Sequence, residues 1–148
     1  MPLFGPSMPL PCLDEDTRLF WEACREHRLT VQQCVRCEAF RFAPAPICYG
    51  CQSFETRLVE SEGIGELYTW TVTHRAVHPA TSEMVPYNTA VVKLRDCGGA
   101  LITTNIVGID NGALVAGMIV ELEWDDVTPD ISLPRFRPVG INPKEVRR

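Results

Sequence analysis

The sequence lacks several features that would assign it to a familiar class of protein. No apolar run approaches the roughly 20 residues that a membrane-spanning helix needs. Residues 1–11 contain four prolines, but neither the basic residues nor the apolar block of a secretory signal peptide. No phosphate-binding loop, dinucleotide fingerprint or G-x-S-x-G serine motif occurs. We therefore expect a cytoplasmic protein without a membrane contact, and one that is not an enzyme when it acts alone.

Positive charge is also scarce. Fourteen basic residues stand against 19 acidic ones, which gives a formal net charge of −5. Non-specific nucleic-acid binding depends mainly on Lys and Arg neutralising phosphates, so this balance disfavours a nucleic-acid partner. A small barrel that stacks single-stranded bases on its aromatic side chains stays open as an alternative function.

Cysteine is the residue type that carries the strongest signal. Seven cysteines are present, and an odd number without a secretory signal argues against a disulfide framework. Four of them form the pattern Cys34-x2-Cys37, ten residues, Cys48-x2-Cys51. Each pair can place two sulfurs in one tight turn, and two such turns can close a tetrahedron around a zinc ion. Because four cysteines fill every position of that tetrahedron, we expect a structural metal.

Iron is the competing metal, since four thiolates also bind iron in rubredoxin-like electron carriers. Redox rubredoxins generally have a small residue after each cysteine pair, whereas Glu38 and Gln52 stand here. This difference favours zinc. The remaining cysteines, Cys12, Cys24 and Cys97, have no partner nearby in sequence and are predicted to be bystander thiols.

Residues 14–28 predict a helix, because acidic residues at its start and basic residues at its end suit the helix dipole. Its apolar stripe is predicted to consist of Leu19, Phe20, Ala23 and Cys24. Trp21 lies off the centre of this stripe. Two interpretations stay open: Phe20 and Trp21 pack on the rest of the chain, or they present an aromatic surface to a partner protein.

Beyond residue 57 the pattern changes to short β-strands. The strand candidates are residues 67–74, 89–95, 100–107 and 118–124. Alternation in the first candidate places Tyr68, Trp70, Val72 and His74 on one side and Leu67 on the other. Gly98-Gly99 predicts a hairpin turn, and the last candidate alternates apolar and acidic residues. With no second helix, four or five such strands predict a mainly β protein that ends in a small β-barrel.

Polar side chains offer no convincing catalytic set. His74 and His78, with Glu83 nearby, would suit a metal or acid–base site, although loop histidines with satisfied hydrogen bonds are more common. Cys97 has no neighbouring base that would make it a nucleophile. Asp125, Asp126 and Asp130 follow the last strand candidate and predict a solvated turn.

The order of these features resembles the acyl-CoA-associated OB-fold family, whose members begin with a helix and a rubredoxin-like zinc ribbon. The matching segments are Phe20-Trp21, residues 29–33, the four cysteines with Pro44 and Pro46, and residues 63–71, 86–92, 117–120 and 134–138. Two departures occur: Glu38 and Gln52 replace the usual glycines after the cysteine pairs, and Cys97-Gly98-Gly99 replaces an acidic–glycine turn. Neither departure removes a metal ligand.

The resemblance implies three parts. These are an extended N-terminus and helix in residues 1–31, a zinc ribbon in residues 32–55 and an OB-fold domain, a five-stranded barrel, in residues 56–148. It also implies a non-catalytic accessory subunit that binds a thiolase-superfamily enzyme (a thiolase, acyltransferase or aldolase) in a hetero-oligomer. Such a subunit helps to form the acyl-CoA site of the enzyme or holds a complex together.

Aromatic and basic side chains supply candidate contacts for the enzyme or for coenzyme A. Arg75 and Arg95 offer charge for the phosphate-bearing tail of coenzyme A. The candidate contact residues are Phe20, Trp21, Tyr68, Trp70, His74 and Tyr87.

Overall fold

A computed structural model describes residues 2–140. Met1 and residues 141–148, the last part of the predicted OB-fold domain, lie outside the described residues. The helix and strands, in chain order, are α1 (Arg18–Arg25), β1 (Thr30–Cys34), β2 (Phe40–Arg41), β3 (Thr56–Glu60), β4 (Ile64–Thr73), β5 (Tyr87–Leu94), β6 (Leu101–Thr104), β7 (Ile119–Thr128) and β8 (Ile131–Pro138). No helix in the described range is long and apolar enough to cross a membrane.

Helix α1 is shorter at both ends than the predicted helix 14–28. At its start, the Asp14 carboxylate accepts hydrogen bonds from the amide and hydroxyl groups of Thr17, at 2.8 and 2.7 Å. The carbonyl of Asp14 also accepts a hydrogen bond from the amide of Arg18 at 2.9 Å, so Asp14 caps a single turn directly before α1 begins. At its end, His27 has a φ of 57°, a left-handed conformation that stops a helix.

The apolar stripe of α1 is narrower than predicted. Phe20, Ala23 and Cys24 are buried, but Leu19 is 55% exposed. The inclusion of Leu19 was therefore wrong. Phe20, Ala23 and Cys24 are spaced i, i+3 and i+4 and share one face of the helix, whereas Leu19 lies about 100° away from Phe20, at the margin of that face.

The first sheet has the strand order β2-β1-β3, with antiparallel neighbours. Its central strand β1 is buried along its whole length. Val31 of this strand belongs to the same apolar core as the second sheet. The ribbon therefore packs on the rest of the chain. The proposed division of the chain at residues 31/32 and 55/56 stays a prediction.

The second sheet has the order β6-β5-β4-β7-β8, and it curls so that its two edges meet. A parallel bridge between Ile106 and Phe136 joins those edges. The amide of Val107 donates to the carbonyl of Phe136 at 2.8 Å, and the amide of Phe136 donates to the carbonyl of Asn105 at 3.2 Å. The prediction of five strands after the ribbon is confirmed.

Strand β8 falls outside the four strand candidates. It contains Pro134 and Pro138, and proline weakens any local prediction of a strand because it cannot donate a hydrogen bond to a ladder. β8 lies at the end of the sheet order, where proline is tolerated. Its pairing with β7 completes the barrel.

A β-bulge changes the alternation of β4. Leu67 pairs with Val92, whereas Thr69 pairs with the next residue, Val91, so Tyr68 is the extra residue. Leu67 is fully buried, Tyr68 is 59% exposed and Trp70 again packs against the core. The prediction that Tyr68 and Trp70 share one side of the strand was therefore wrong, because one inserted residue reverses the sides.

One apolar core joins the helix, the ribbon and the barrel. Its fully or almost fully buried side chains include Phe20, Cys24, Leu29, Val31, Leu67, Val92, Leu94, Ile102, Val120 and Phe136. Leu122 and Trp124 of β7 pack against it, as their alternation with Glu121 and Glu123 predicts.

Candidate metal centre and a polar network

The four predicted ligand cysteines lie together. Cys34 ends β1, Cys37 lies in the turn that follows, and Cys48 and Cys51 lie in a second turn. All four sulfurs lie within 4.8 Å of one another. Across the two turns, the Sγ atoms of Cys34 and Cys51 are 3.6 Å apart and those of Cys37 and Cys48 are 3.5 Å apart. A tetrahedral ion with bonds of about 2.3 Å separates its sulfur ligands by about 3.8 Å, so the four thiols fit structural zinc.

The two turns have the same hydrogen-bonded design. The amide of Glu38 donates to the carbonyl of Cys34 at 3.0 Å, and the amide of Gln52 donates to the carbonyl of Cys48 at 2.9 Å. Glu38 and Gln52 have φ angles of 61° and 59°, in the left-handed region that favours glycine. The chain adopts the turn even though both glycines are replaced.

Backbone amides favour the thiolate form that binds metal at two of the four sulfurs, those of Cys34 and Cys48. The amide of Cys37 holds the pKa of Cys34 below its ordinary value. Hydrogen bonds from the amides of Cys51 and Gly50 lower the pKa of Cys48 to about 6. Metal ligands must be deprotonated, so these amides assist binding.

The other cysteines that we predicted as bystanders are free. Burial raises the pKa of Cys24 to about 12. Burial, followed by the Asp96 carboxylate, raises the pKa of Cys97 to about 11. Both side chains are therefore neutral thiols near pH 7, which is not the form of a catalytic nucleophile.

The predicted histidine pair does not form a metal cluster. Within residues 2–140, the cysteine quartet is the only group of three or more His, Cys, Asp or Glu donors with suitable spacing. Nδ1 of His78 accepts a hydrogen bond from the amide of Ala80 at 3.1 Å and caps a short turn. His74 is exposed.

The predicted contact residues differ in exposure. Phe20 is buried and packs its ring against Trp21 and Phe42, with centroid distances of 4.9 and 5.3 Å. Tyr68 is exposed, whereas Trp21 is half-buried. The remaining aromatic candidates, Trp70 and Tyr87, are also half-buried.

Sequence reasoning missed a buried ion pair at one end of the barrel. Nε of Arg135 donates to Oδ2 of Asp125 at 3.2 Å, and the two side chains are only 10% and 9% exposed. The prediction of a solvated turn was therefore wrong for Asp125, which lies inside β7 and faces Arg135 of β8. Asp126 is exposed but also lies inside β7, whereas Asp130 lies in a turn as predicted. Burial lowers the pKa of Arg135, and the Asp125 carboxylate opposes that change. The sequence feature that could have indicated this ion pair is the motif Pro-Arg-Phe-Arg-Pro at residues 134–138.

Amide side chains extend this pair into a network. Arg135 donates to Oδ1 of Asn105, and Asn105 donates to the carbonyl of Asn88. The side chain of Asn88 bonds both the amide and the carbonyl of Ile106, at 2.7 and 2.8 Å. The network thus ties β5 and β8 to the segment that follows β6.

Helix, four-cysteine ribbon and closed five-stranded barrel together define the class of zinc-ribbon and OB-fold proteins. Comparison with protein families agrees. The family model described as "ChsH2, rubredoxin-like zinc ribbon domain" matches residues 21–57, and the one described as "ChsH2, C-terminal OB-fold domain" matches residues 58–125. The chain belongs to the DUF35 family and carries both ChsH2-type domains.

Several solved structures and one curated protein are similar to the chain. A chain of "Ltp2-ChsH2(DUF35) aldolase" has 37% identity and a TM-score of 0.79, and the match covers 87% of this chain and 98% of that one. A DUF35 protein of unknown function from Sulfolobus solfataricus has a TM-score of 0.59 over 84% and 85% of the two chains. At 11% identity, it supports the fold alone.

The curated relative is "Probable enoyl-CoA hydratase alpha subunit" from Thermomonospora curvata. It is 38% identical over 130 residues, or 88% of this chain. The chain spans only 40% of the length of that relative.

Proposed function

We propose that this chain is a non-catalytic accessory subunit that binds a thiolase-superfamily enzyme acting on acyl-CoA. The observation that carries the proposal is the 37% identity with a chain of "Ltp2-ChsH2(DUF35) aldolase", over 98% of that chain. The name of that aldolase joins two proteins, Ltp2 and ChsH2. The name of the curated relative also refers to an acyl-CoA enzyme.

The metal centre has a structural role in this proposal, and zinc is the ion that we assign to it. Four cysteine ligands leave no position open for a substrate or a water molecule. Cys34 continues β1, whose Val31 is fully buried in the common core. The metal therefore holds the ribbon together, and the common core keeps the ribbon in a fixed position on the barrel.

Exposed aromatic side chains supply the contacts of the subunit with the enzyme or with coenzyme A. Tyr68 is the strongest candidate, because the bulge in β4 turns this large side chain away from the core. Trp21, Trp70, His74 and Tyr87 are further candidates. Phe20 supports Trp21 from within the core, and the exposed Arg75 and Arg95 are candidates for contact with phosphate groups.

Coexpression with a thiolase-like enzyme from the same genome tests the proposal. We expect the two chains to elute as one complex in size-exclusion chromatography, with about one zinc and no iron per accessory chain by metal analysis. We also expect acyl-CoA turnover by the enzyme to increase when the chain is present. Separate elution together with unchanged turnover would refute the proposal.

A matched pair of variants identifies the contact surface. Tyr68→Ala is expected to weaken the complex at least about 10-fold, as loss of an exposed aromatic anchor at an interface does. Tyr49→Ala, which removes another exposed tyrosine on the ribbon, is the control and is expected to leave affinity within about twofold. Equal effects of the two variants would remove Tyr68 from the proposed surface.

A further inference from the structure

The N-terminal arm, defined here as residues 2–11, lies across the end of the barrel that holds the polar network. The amide of Leu3 donates to Oδ2 of Asp125 at 3.3 Å. The ring of Phe4 meets Tyr87 edge-on at a centroid distance of 5.2 Å, and its centroid lies 5.7 Å from the guanidinium carbon of Arg135. The arm thus places a backbone donor and then an aromatic ring on the buried ion pair.

The next residue of the arm, Gly5, also contacts the protein surface beside the barrel. The amide of Gly5 donates to the carbonyl of Ala80 at 3.4 Å. A Cβ atom at residue 5 would lie only 3.3 Å from that carbonyl oxygen. The surface therefore accepts three features in sequence: a backbone N–H, an aromatic side chain and a residue without a side chain.

This surface is the one that OB-fold barrels use for ligands. In such barrels, extended polymers such as oligonucleotides and oligosaccharides bind to the second and third strands and to the loops beside them. Those strands are β5 and β6 here, and they contribute Tyr87, Thr89 and Thr103 to a cavity of about 500 Å³ beside the arm. The arm therefore occupies a place in which an extended chain is a common occupant.

The arm leaves open space beside it and is held by few hydrogen bonds. A second surface cavity of about 580 Å³ also borders Phe4 and Leu10 and reaches Met84 and Val127. The hydrogen bonds from the amides of Leu3 and Gly5 to the barrel, at 3.3 and 3.4 Å, are longer than the usual 2.9 to 3.0 Å. Exchange of the arm for another segment would therefore break two weak hydrogen bonds.

The ion pair beneath the arm is better explained by recognition than by stability. A buried ion pair is often no more stabilising than apolar residues of similar volume, because both charges lose water. Here Oδ2 of Asp125 accepts hydrogen bonds from both Arg135 and the amide of Leu3, and Arg135 offers its flat guanidinium to a ring. Arginine stacks well on aromatic rings in such positions.

We propose that this groove is a recognition site for an extended peptide segment of the enzyme partner, and that residues 2–5 occupy it as an internal competitor. The segment presents a backbone N–H to Asp125, an aromatic ring to Arg135 and Tyr87, and a small residue to Ala80. The inference rests on the proposed function and names the site and the kind of segment that it binds. Binding of the partner displaces the arm.

The first test uses a fluorescein-labelled peptide with the sequence of residues 2–11 and the full-length chain. Because a tethered segment competes at an effective concentration in the millimolar range, the wild-type chain is expected to bind the peptide weakly. The Phe4→Ala chain, with its own arm weakened, is expected to bind it at least about 10-fold more tightly by fluorescence anisotropy. Phe54→Ala, at an exposed phenylalanine of the ribbon, is the control and is expected to behave as wild type.

A second peptide, with alanine in place of the phenylalanine, distinguishes specific recognition of the aromatic ring from non-specific binding. It is expected to bind the Phe4→Ala chain at least about 10-fold more weakly than the original peptide. Equal binding of the two peptides, or no binding of either, would overturn the inference. Displacement of the peptide by a single-stranded oligonucleotide at physiological salt would also overturn it, because the groove would then be a nucleic-acid site.

The enzyme complex supplies the final test. Phe4→Ala is expected to strengthen the complex several-fold, and saturating peptide is expected to weaken it. If the complex forms but neither change alters its affinity, the inference fails and the proposed function stands. If neither the wild-type chain nor the Phe4→Ala chain forms a complex with a thiolase-like enzyme, the proposed function is refuted. The inference that the groove binds a segment of that enzyme is then refuted with it.

Discussion

At the scale of single residues, the two metal turns carry backbone strain. Glu38 and Gln52 adopt left-handed φ angles of 61° and 59°, which cost an L-residue about 1–2 kcal/mol relative to its favoured conformation. Hydrogen bonds to the carbonyls of Cys34 and Cys48 hold each turn in place. The strain persists because metal binding and these bonds together determine the turn.

Gln52→Gly is expected to stabilise the metal-bound protein. Glycine adopts a positive φ without steric cost, although it loses more entropy on folding, so we expect a net gain of about 0.5–1 kcal/mol. Thermal unfolding of the zinc form, followed by circular dichroism, measures this gain as a rise in Tm.

Glu55→Gly is the matched control, since Glu55 is exposed, outside any strand and without a positive φ. Glycine at residue 55 relieves no backbone strain and only increases the conformational entropy that is lost on folding. We therefore expect Tm to stay the same or to fall. A fall in Tm for Gln52→Gly as well would show that the left-handed turn carries no relievable strain.

At the scale of secondary-structure elements, helix α1 packs on the core through only one of its faces. It has only eight residues, too few for a stable isolated helix, so its stability comes from packing. Phe20 and Cys24 enter the common core, and Leu19 faces outward. The helix therefore depends on a small number of buried side chains.

This dependence is tested by two substitutions at adjacent residues, Phe20→Ala and Leu19→Ala. Phe20→Ala is expected to lower the free energy of unfolding by about 3–5 kcal/mol, because it leaves a cavity between Trp21 and Phe42. Leu19→Ala is expected to change it by less than about 0.5 kcal/mol. Urea unfolding measures both values, and similar losses for the two variants would contradict the one-sided packing.

At the scale of the whole molecule, the ribbon and the barrel share one core. Leu29 and Val31 beside the ribbon are as deeply buried as Leu67 and Val120 of the barrel. Loss of order in the ribbon would therefore expose apolar surface of the barrel. For this reason we expect the two parts to unfold together.

Removal of the metal is expected to lower the stability of the entire chain. In differential scanning calorimetry, treatment with a zinc chelator should leave one transition, with its Tm lowered by roughly 10 °C. For a chain of this size, that shift corresponds to a loss of a few kcal/mol in the free energy of unfolding. Cys34→Ser should reproduce the effect, whereas Cys12→Ser, at an exposed cysteine outside the quartet, should not. Two separate transitions after chelation would show that the barrel is independent of the ribbon.

Local patterns accounted for a large part of both the fold and the metal centre. The spacing of Cys34, Cys37, Cys48 and Cys51 identified the four thiols that converge, because two residues between cysteines constrain each pair to one turn. The alternation from Val120 to Trp124 identified a strand and its buried side. Both signals come from residues that are close together in sequence, where chain geometry alone relates one side chain to the next.

Other features depended on contacts between distant parts of the chain, and only the tertiary structure decided them. The bulge at Tyr68 arises from the register between β4 and β5, so alternation within β4 could not reveal which aromatic side chain faces outward. Asp125 is buried because β7 pairs with β8 and the N-terminal arm covers both, although its local sequence is that of a solvated turn. The amino-acid sequence by itself determined the four cysteines that converge, the strands with clear alternation and the family resemblance. The tertiary structure decided which polar groups are buried and what covers them, because burial depends on every segment that packs nearby and not on the residues of one segment.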